Sequence, residues 1–233
     1  VWVDAFEHRF TAGELDGHSL GNLILTGLGE TLGDPVAAID AAARLLGAVG
    51  RVRPATVERV ELKAHVDGGS VHGQVAVMTT GGRIRRVELV PHDARADPDA
   101  VAAIAAADQV VLAPGSLYTS LLSVLGVPGL RDAVTATRAQ VVQVCNLRPQ
   151  PPETTGLDAA DHLRAVLDHG GRVDTFLSER DGALPVDEDR IRGWGVRPVA
   201  AAVAGRSGLV HDPAKLAQAL TDLLESDQTR GYA

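Results

Sequence analysis

The sequence contains one cysteine, few aromatic residues and almost no lysine. Cys145 stands alone, which excludes an internal disulfide and a cysteine-based zinc site. Aromatic residues make up 3% of the 233 residues, so a core drawn from the 45% hydrophobic content must be built from Ala, Val and Leu. Lysine occurs only at Lys63 and Lys215, and arginine supplies nearly all the positive charge. A chain of this length and composition suffices for one large α/β domain or two small ones.

Excess basic charge and long hydrophobic runs are also absent. The formal net charge is −8 at pH 7, which argues against nonspecific nucleic-acid binding, because that needs a basic surface. No apolar run reaches the roughly 18 residues of a transmembrane helix, and no signal peptide is visible. We therefore expect a soluble, cytoplasmic protein with no nucleic-acid partner and no membrane span.

The beginning of the chain is unusual. It opens on Val1-Trp2-Val3 with no initiator Met, and no glycine-rich strand-turn precedes the first predicted helix. We expect a fragment, or a chain whose beginning is not represented in the sequence. Within residues 1–233 we predict a single α/β domain.

The most informative stretch is 109–130, QVVLAPGSLYTSLLSVLGVPGL. Residues 110–112 predict a strand buried on both faces of a parallel sheet. A turn follows, and residues 117–125 predict a helix with Ser116 as its cap. The unpaired N–H groups and the positive dipole end of such a helix start favour an anion, and Gly115 permits a close approach. The stretch fits a phosphate or phospho-sugar site, and it also fits an ordinary strand-to-helix turn.

Strands and helices alternate along the rest of the chain, which predicts a doubly wound, mostly parallel sheet. Residues 56–90 predict an antiparallel β meander that extends this sheet, with a hairpin turn at 67–70. The predicted strands are 56–63, 71–78, 84–90, 110–112, 140–145, 173–177 and 196–203. The other predicted helices begin at Gly17, Asp34, Asp97, Leu130, Asp158, Asp187 and Asp212, and the tail 226–233 is predicted to fray.

Two polar loops follow neighbouring buried strands of this predicted sheet. One is the turn after residue 112, and the other runs from Asn146 to Thr154. Ligands bind such sheets at the carboxyl ends of the strands. Because loops after adjacent parallel strands project from the same edge, we predict a pocket there.

Two smaller polar groups leave alternatives open. His18, Ser19 and Asn22 fall within one helical turn and can share a face, either presenting polar groups to a ligand or forming a helix start capped by Ser19. Asp161 and His162 lie in the first turns of a predicted helix, where they either bind a ligand or simply place an acid at the positive end of the helix dipole.

Metal binding is only weakly indicated. His65, His72 and His92 are scattered in or near the predicted meander, and this spacing gives little indication of a metal site. We predict none.

Three motifs resemble the bacterial gluconeogenesis factor family, which belongs to the superfamily of 2-phospho-L-lactate transferase, the enzyme of coenzyme F420 assembly. The resemblance covers about residues 14–217. The motifs are GHSLGNL at 17–23, APGSLYTS at 113–120 with VPGL at 127–130, and VCN at 144–146 with Gln150-Pro151, Glu153-Thr154 and Asp161-His162.

The resemblance implies a Rossmann-like three-layer sandwich and a cytoplasmic protein that binds a UDP-sugar such as UDP-N-acetylglucosamine. It also implies a regulatory role that links carbon metabolism to cell shape and cell-wall synthesis, with cell-wall synthesis proteins as candidate partners. The chain departs from the family in two places. The family's N-terminal glycine-rich strand-turn and Asp-Asp-Gly-Gly-type loop are missing, and Leu157 stands where an aromatic residue often follows the Glu-Thr-x-Gly element, here residues 153–156.

Two functional hypotheses place ligands on these motifs. In the first, a UDP-sugar lays its diphosphate on the Gly115–Ser116 helix start, and Tyr118, Asn146 and Glu153 bind its hydroxyls. In the alternative, a transferase holds Mg²⁺ on Glu153 and Asp161, because phosphoryl transfer requires phosphate charge to be neutralised. The predicted ligand-binding residues are Gly115, Ser116, Leu117, Tyr118, Thr119, Asn146, Glu153, Thr154, His18, Asn22 and Asp161.

A third interpretation is a structural or interaction protein without a ligand. A regulator should bind UDP-sugar without magnesium, a transferase should need magnesium, and a scaffold should do neither. Because doubly wound sheets of this kind often pair through exposed helices, we also predict a homodimer.

Overall fold

The computed structural model describes residues 1–230, and the chain divides into two compact units. The first unit is Val1–Val57, and the second begins at Glu58. The first unit is helical: α1 is Trp2–Glu7, a 3₁₀ turn is Gly13–Leu15, α2 is Leu20–Leu32 and α3 is Pro35–Leu46. Helix α1 was not predicted, since residues 1–16 show no clear apolar period.

The starts of α2 and α3 follow from their capping residues. Ser19 Oγ accepts a hydrogen bond from the Asn22 N–H at 3.3 Å, which confirms that Ser19 caps α2. Asp34 caps α3 in the same way, with Pro35 in the first helical position. Helix α3 ends at Leu46, and Gly47, whose φ of 68° suits glycine, caps its carboxyl end.

The second unit opens with the strands β1 (Glu61–Val66), β2 (Gly69–His72) and β3 (Ile84–Val90), with the helix α4 (Gln74–Thr79) between β2 and β3. The three strands form an antiparallel sheet of order β2-β1-β3. In the described residues this sheet does not pair with the parallel sheet, so the meander is not a continuation of it. The predicted antiparallel arrangement is confirmed, but its first strand is 61–66 rather than 56–63.

The predicted return strand 71–78 is half wrong, because the chain turns into α4 after β2. Gly73 has a φ of 88°, and its N–H bonds to Leu62 O at 2.7 Å, which closes the ladder. The helix that follows buries Val77 completely and leaves Val75 exposed. A strand would instead place these two residues on the same face.

The strands β4 (Gln109–Leu112), β5 (Gln140–Val144), β6 (Thr175–Glu179) and β7 (Arg197–Ala201) form a second sheet of order β4-β5-β6-β7. All of its pairs are parallel, as the alternation of strands and helices predicted. The helices are α5 (Pro98–Ala106), α6 (Leu122–Leu125), α7 (Pro128–Ala136), α8 (Ala159–Asp168), α9 (Glu188–Gly193) and α10 (Pro213–Arg230), and a π-helical segment is Leu117–Leu121.

Strand β5 lies at the centre of the core, with every residue buried. Val142 and Val144 pack with Leu223 of α10. Gln143 points to the opposite face, where its Nε2 donates to His162 O of α8 at 3.4 Å. Helices therefore cover both faces of the sheet, which confirms the α/β class with a doubly wound sheet.

Two further observations concern the chain as a whole. Among the described residues, no helix combines the length and the apolar character needed to cross a membrane.

Helix α10 continues to Arg230, beyond the predicted end near residue 225. The remainder of the predicted frayed tail, 231–233, lies outside the described residues.

Candidate functional site

A cavity of about 440 Å³ lies where β4 and β5 end. These strands are neighbours in the sheet, so the loops that follow them leave it at the same edge. The cavity wall takes residues from three segments, among them Gly115, Asn146, Arg148, Gln150, Val210 and His211. Ligand sites in doubly wound sheets occupy this position.

The Asn146 side chain joins the two loops. Its Oδ1 accepts the Gly115 N–H at 3.1 Å, and its Nδ2 donates to Gly115 O at 2.8 Å. The same Nδ2 donates to Gln150 Oε1 at 3.1 Å. One amide thus fixes the turn after β4 to the loop after β5, and Gly115 and Asn146 lie together as predicted.

The start of the helical segment after β4 is capped by Glu153, which is distant in the sequence but close in space. The buried Glu153 carboxylate accepts the backbone N–H groups of Tyr118 at 2.6 Å and Thr119 at 3.1 Å. The predicted cap is wrong, because the Ser116 side chain makes no capping hydrogen bond and the first turn is π-helical. At this helix start, where we predicted a diphosphate beside Gly115 and Ser116, the N–H groups of Tyr118 and Thr119 bind a carboxylate of the chain itself.

Other predicted residues of this region are also held by contacts within the protein. Tyr118 is buried and its hydroxyl donates to Ile84 O at 3.3 Å, and burial raises the pKa of this hydroxyl. Thr154 is fully buried, and its Oγ1 accepts the Gln150 N–H at 2.8 Å. Leu117 is buried as well. Their roles toward a ligand stay predictions.

Asp161 belongs to the start of α8. Asp158 and Asp161 form a reciprocal capping box, in which each carboxylate accepts the other's backbone N–H. Arg190 donates to Asp161 Oδ1 and to Asp158 Oδ2, each at 2.8 Å. Partial burial favours a higher pKa for Asp161, but the hydrogen bonds from Arg190 and the Asp158 backbone outweigh it and lower the pKa.

His18 and Asn22 lie in the first compact unit. Both are exposed, and the Asn22 N–H supports the Ser19 cap of α2. The structural interpretation of this motif is therefore confirmed for Ser19, and a ligand role for His18 and Asn22 stays a prediction.

Comparison with known proteins identifies the family. A family model described as "2-phospho-L-lactate transferase CofD" matches residues 1–220. The chain belongs to the CofD family. It is 39% identical over 244 residues to a protein of Mycobacterium tuberculosis named putative gluconeogenesis factor, covering 97% of this chain and 71% of that protein.

Two further relatives agree with this assignment. The gluconeogenesis factor of Bacillus subtilis is 36% identical over 243 residues, which cover 95% of this chain and 77% of that protein. A crystal structure of a UPF0052 family protein from Bacillus halodurans superimposes with a TM-score of 0.86 at 34% identity, covering 93% of this chain and 76% of that chain. The resemblance drawn from the three motifs is confirmed.

The carboxylates nominated for a metal in this CofD-family chain already have partners. Glu153 accepts the helix-start N–H groups, and Asp161 pairs with Arg190. Within residues 1–230, the described side chains contain no group of three or more His, Cys, Asp or Glu residues arranged to hold a metal ion.

The list of predicted ligand-binding residues omitted three polar side chains of the cavity wall in this CofD-family protein: Arg148, Gln150 and His211. Arg148 and Gln150 lie in the loop that was predicted to face a ligand, so their position after Asn146 was a usable signal. His211 comes from the segment after β7, which folds back so that Ala204 and His211 form a β-bridge. No local pattern marks that return.

Proposed function

We propose that this CofD-family protein is a regulatory protein that binds a UDP-sugar, such as UDP-N-acetylglucosamine, in the cavity where β4 and β5 end. The observation that carries the proposal is the shared wall of this cavity, in which Gly115 and Asn146 from two predicted loops lie beside Arg148. Its volume of about 440 Å³ falls within the usual range of ligand pockets, about 300–1,000 Å³.

The charge of the wall favours an anionic ligand. Among the described lining residues, Arg148 and His211 are ionisable and none is a carboxylate. Burial lowers the pKa of His211, so its ring is neutral at pH 7 and Arg148 carries the charge. Arg148 is exposed and makes no ion pair within the described part of the chain. A guanidinium fork binds phosphate oxygens in a bidentate manner, which suits the diphosphate.

The amide groups of the wall suit the hydroxyls of a ribose or sugar. Asn146 uses both Nδ2 hydrogens within the protein, while its Oδ1 accepts one of the two hydrogen bonds that it can accept. The Asn146 Oδ1 can therefore accept one further hydrogen bond, from a ligand hydroxyl. Gln150 accepts through Oε1, which leaves its Nε2 to donate.

We further propose that the bound sugar nucleotide links carbon metabolism to cell shape and cell-wall synthesis, with cell-wall synthesis proteins as partners. The name "gluconeogenesis factor" of the M. tuberculosis and B. subtilis relatives supports the metabolic part of this role. The alternative is a transferase of the 2-phospho-L-lactate type, which the description of the family model favours.

Calorimetric titration with UDP-N-acetylglucosamine, with and without magnesium, separates these functions. The regulator binds in both conditions and leaves the sugar nucleotide intact. Turnover of a guanylylated phospho-lactate only with magnesium, and no binding of the UDP-sugar, would establish the transferase instead. If the protein neither binds the UDP-sugar nor turns over the guanylylated substrate, it is a scaffold.

A further inference from the structure

A second cavity, of about 320 Å³, lies between β3 and the chain segment that joins α6 to α7. The end of α8 closes it. Its wall includes Arg86, Glu88, His92, Gly126, Arg131 and His169. It shares no lining residue with the cavity where β4 and β5 end, so a ligand here is independent of the proposed sugar-nucleotide site.

Two arginines from different elements supply positive charge to this second cavity. Arg86 lies on β3, and no ion pair engages it within the described residues. Arg131 lies on α7, and its nearest acid is Asp132 at 3.8 Å, whose side chain is 75% exposed. Because that contact is long and solvated, Arg131 remains available to an anion.

The position of Arg131 depends on Gly170, the residue after His169. A Cβ atom at Gly170 would lie 3.1 Å from Arg131 Cδ, and the Gly170 φ of 79° also suits glycine. The absence of a side chain there lets the stem of Arg131 lie against the backbone. The guanidinium is therefore held at the cavity wall with part of its motion already restricted.

The acid in the wall does not cancel this positive charge. The Glu88 carboxylate lies 2.8 Å from Lys63 Nζ and 3.1 Å from His65 Nε2, so it is already paired with a cation outside the cavity. In a protein whose formal net charge is −8 at pH 7, this wall is locally positive. Such a concentration of positive charge favours an anionic ligand.

His169 forms the fixed part of the wall. Its Nε2 accepts the Val87 N–H at 3.0 Å, and its Nδ1 lies 2.6 Å from Ala165 O. Both ring nitrogens are used, so this ring is neutral with the proton on Nδ1 and ties β3 to the end of α8. The His169 ring thus stabilises the cavity wall, and a ligand can be bound only by the other residues of the wall, chiefly the two arginines.

We propose that this cavity binds an oxyanion, the phosphate group of a small metabolite, between Arg86 and Arg131. The guanidinium groups would approach it from β3 and α7, each with paired N–H donors that match phosphate oxygens. Free inorganic phosphate and a phosphate monoester share this chemistry, and titration with each distinguishes them. A metabolite site gives tighter binding of the monoester.

The test is calorimetric titration of the full chain with inorganic phosphate and with glycerol 3-phosphate at constant ionic strength. We expect Arg86→Gln and Arg131→Gln each to weaken binding about tenfold. Arg138→Gln removes the same charge from an exposed residue outside this wall and should leave the affinity unchanged. Arg131→Lys keeps the charge but loses the fork, and should bind between wild type and Arg131→Gln.

Three results would overturn the proposal. The first is that neither anion binds to the wild-type protein. The second is binding that the Arg86 and Arg131 variants retain in full. The third is binding that is lost in Arg148→Gln instead, which would place the anion in the cavity where β4 and β5 end. Thermal melts of each variant establish that a lost affinity comes from a folded protein.

Discussion

The Oε1 atom of Glu153 lies 2.6 Å from the backbone nitrogen of Tyr118. The two residues are 35 positions apart, in the loop after β5 and in the first turn after β4. The carboxylate thus supplies the negative charge that the helix start favours. An anion from a ligand is therefore not needed at this point, and the proposed ligand site is formed instead by the cavity residues Gly115, Asn146 and Arg148.

Glu153→Gln should destabilise the protein. One amide oxygen replaces two carboxylate oxygens, and an NH₂ group is brought close to backbone donors in a buried site. We expect the free energy of unfolding in urea to fall by about 1–3 kcal/mol. Glu30→Gln, at an exposed position of α2, is the control and should change it little. Equal stability of the two variants would contradict the capping role.

Asn146→Asp should weaken UDP-N-acetylglucosamine binding by about tenfold. The carboxylate keeps an acceptor for the Gly115 N–H but faces Gly115 O and Gln150 Oε1, so both donated hydrogen bonds are lost. Calorimetry measures the affinity. Gln74→Glu makes the same amide-to-carboxylate change at an exposed position of α4 and serves as the control. An unchanged affinity in Asn146→Asp would show that the two loops need not be joined for binding.

Cys145 should be unreactive in the native protein. It is 3% exposed, and burial raises the pKa of its thiol from 9.0 to about 12, with a smaller contribution from Asp158. Because the thiolate is the reactive form, we expect iodoacetamide at pH 8 to label the native protein slower than the urea-unfolded protein by about two orders of magnitude or more. Mass spectrometry measures both rates, and rapid labelling of the native thiol would refute its buried placement.

Stability should fall on acidification through His169. Burial lowers the pKa of His169 from 6.5 and nearby Arg86 lowers it further, while the hydrogen bond to Ala165 O and the charge of Asp168 oppose the shift. As the pH falls below 6.5, His169 therefore becomes protonated in the unfolded chain at a higher pH than in the native protein. The free energy of unfolding decreases until the pH reaches the pKa of His169 in the native protein. Above this window the group contributes no pH dependence.

Urea unfolding at pH 7.5 and pH 5.5 measures this effect. The loss of stability between the two values should be smaller in His169→Gln than in the wild type, since the variant cannot titrate at this position. His211, whose pKa burial also lowers, contributes equally to both proteins. The same loss in both proteins would show that protonation of His169 does not matter.

Local signals in the sequence predicted the frame of this fold. The Asp97 and Asp212 helix starts precede proline, and the strands 110–112 and 140–144 lie where their apolar runs placed them. Strand β5 is buried as predicted, whereas β4 lies at the edge of the sheet and only its Leu112 is buried, so burial of 110–112 on both faces was a wrong prediction. The alternating residues 71–78 are compatible with a strand and with a short helix alike. Burial of Val77 decides for α4, and burial depends on the tertiary structure.

The same distinction holds for the candidate site. Gly115 and Asn146 could be predicted, because loops after neighbouring parallel strands meet at one edge. The cap from Glu153 and the return of His211 could not, since each joins segments that are far apart in the chain. Ser116 fits a cap by residue type, yet Glu153 receives those hydrogen bonds.

The most direct test of the proposed function is the affinity of Arg148→Gln for UDP-N-acetylglucosamine without magnesium, measured by calorimetry beside Arg138→Gln. Arg148 lines the cavity, while Arg138 is exposed elsewhere and carries the same charge. We predict that wild type and Arg138→Gln bind with the same affinity and that the affinity of Arg148→Gln is lower by a factor of about ten or more. Equal binding by all three proteins, or no binding by the wild type, would contradict a sugar-nucleotide site where β4 and β5 end.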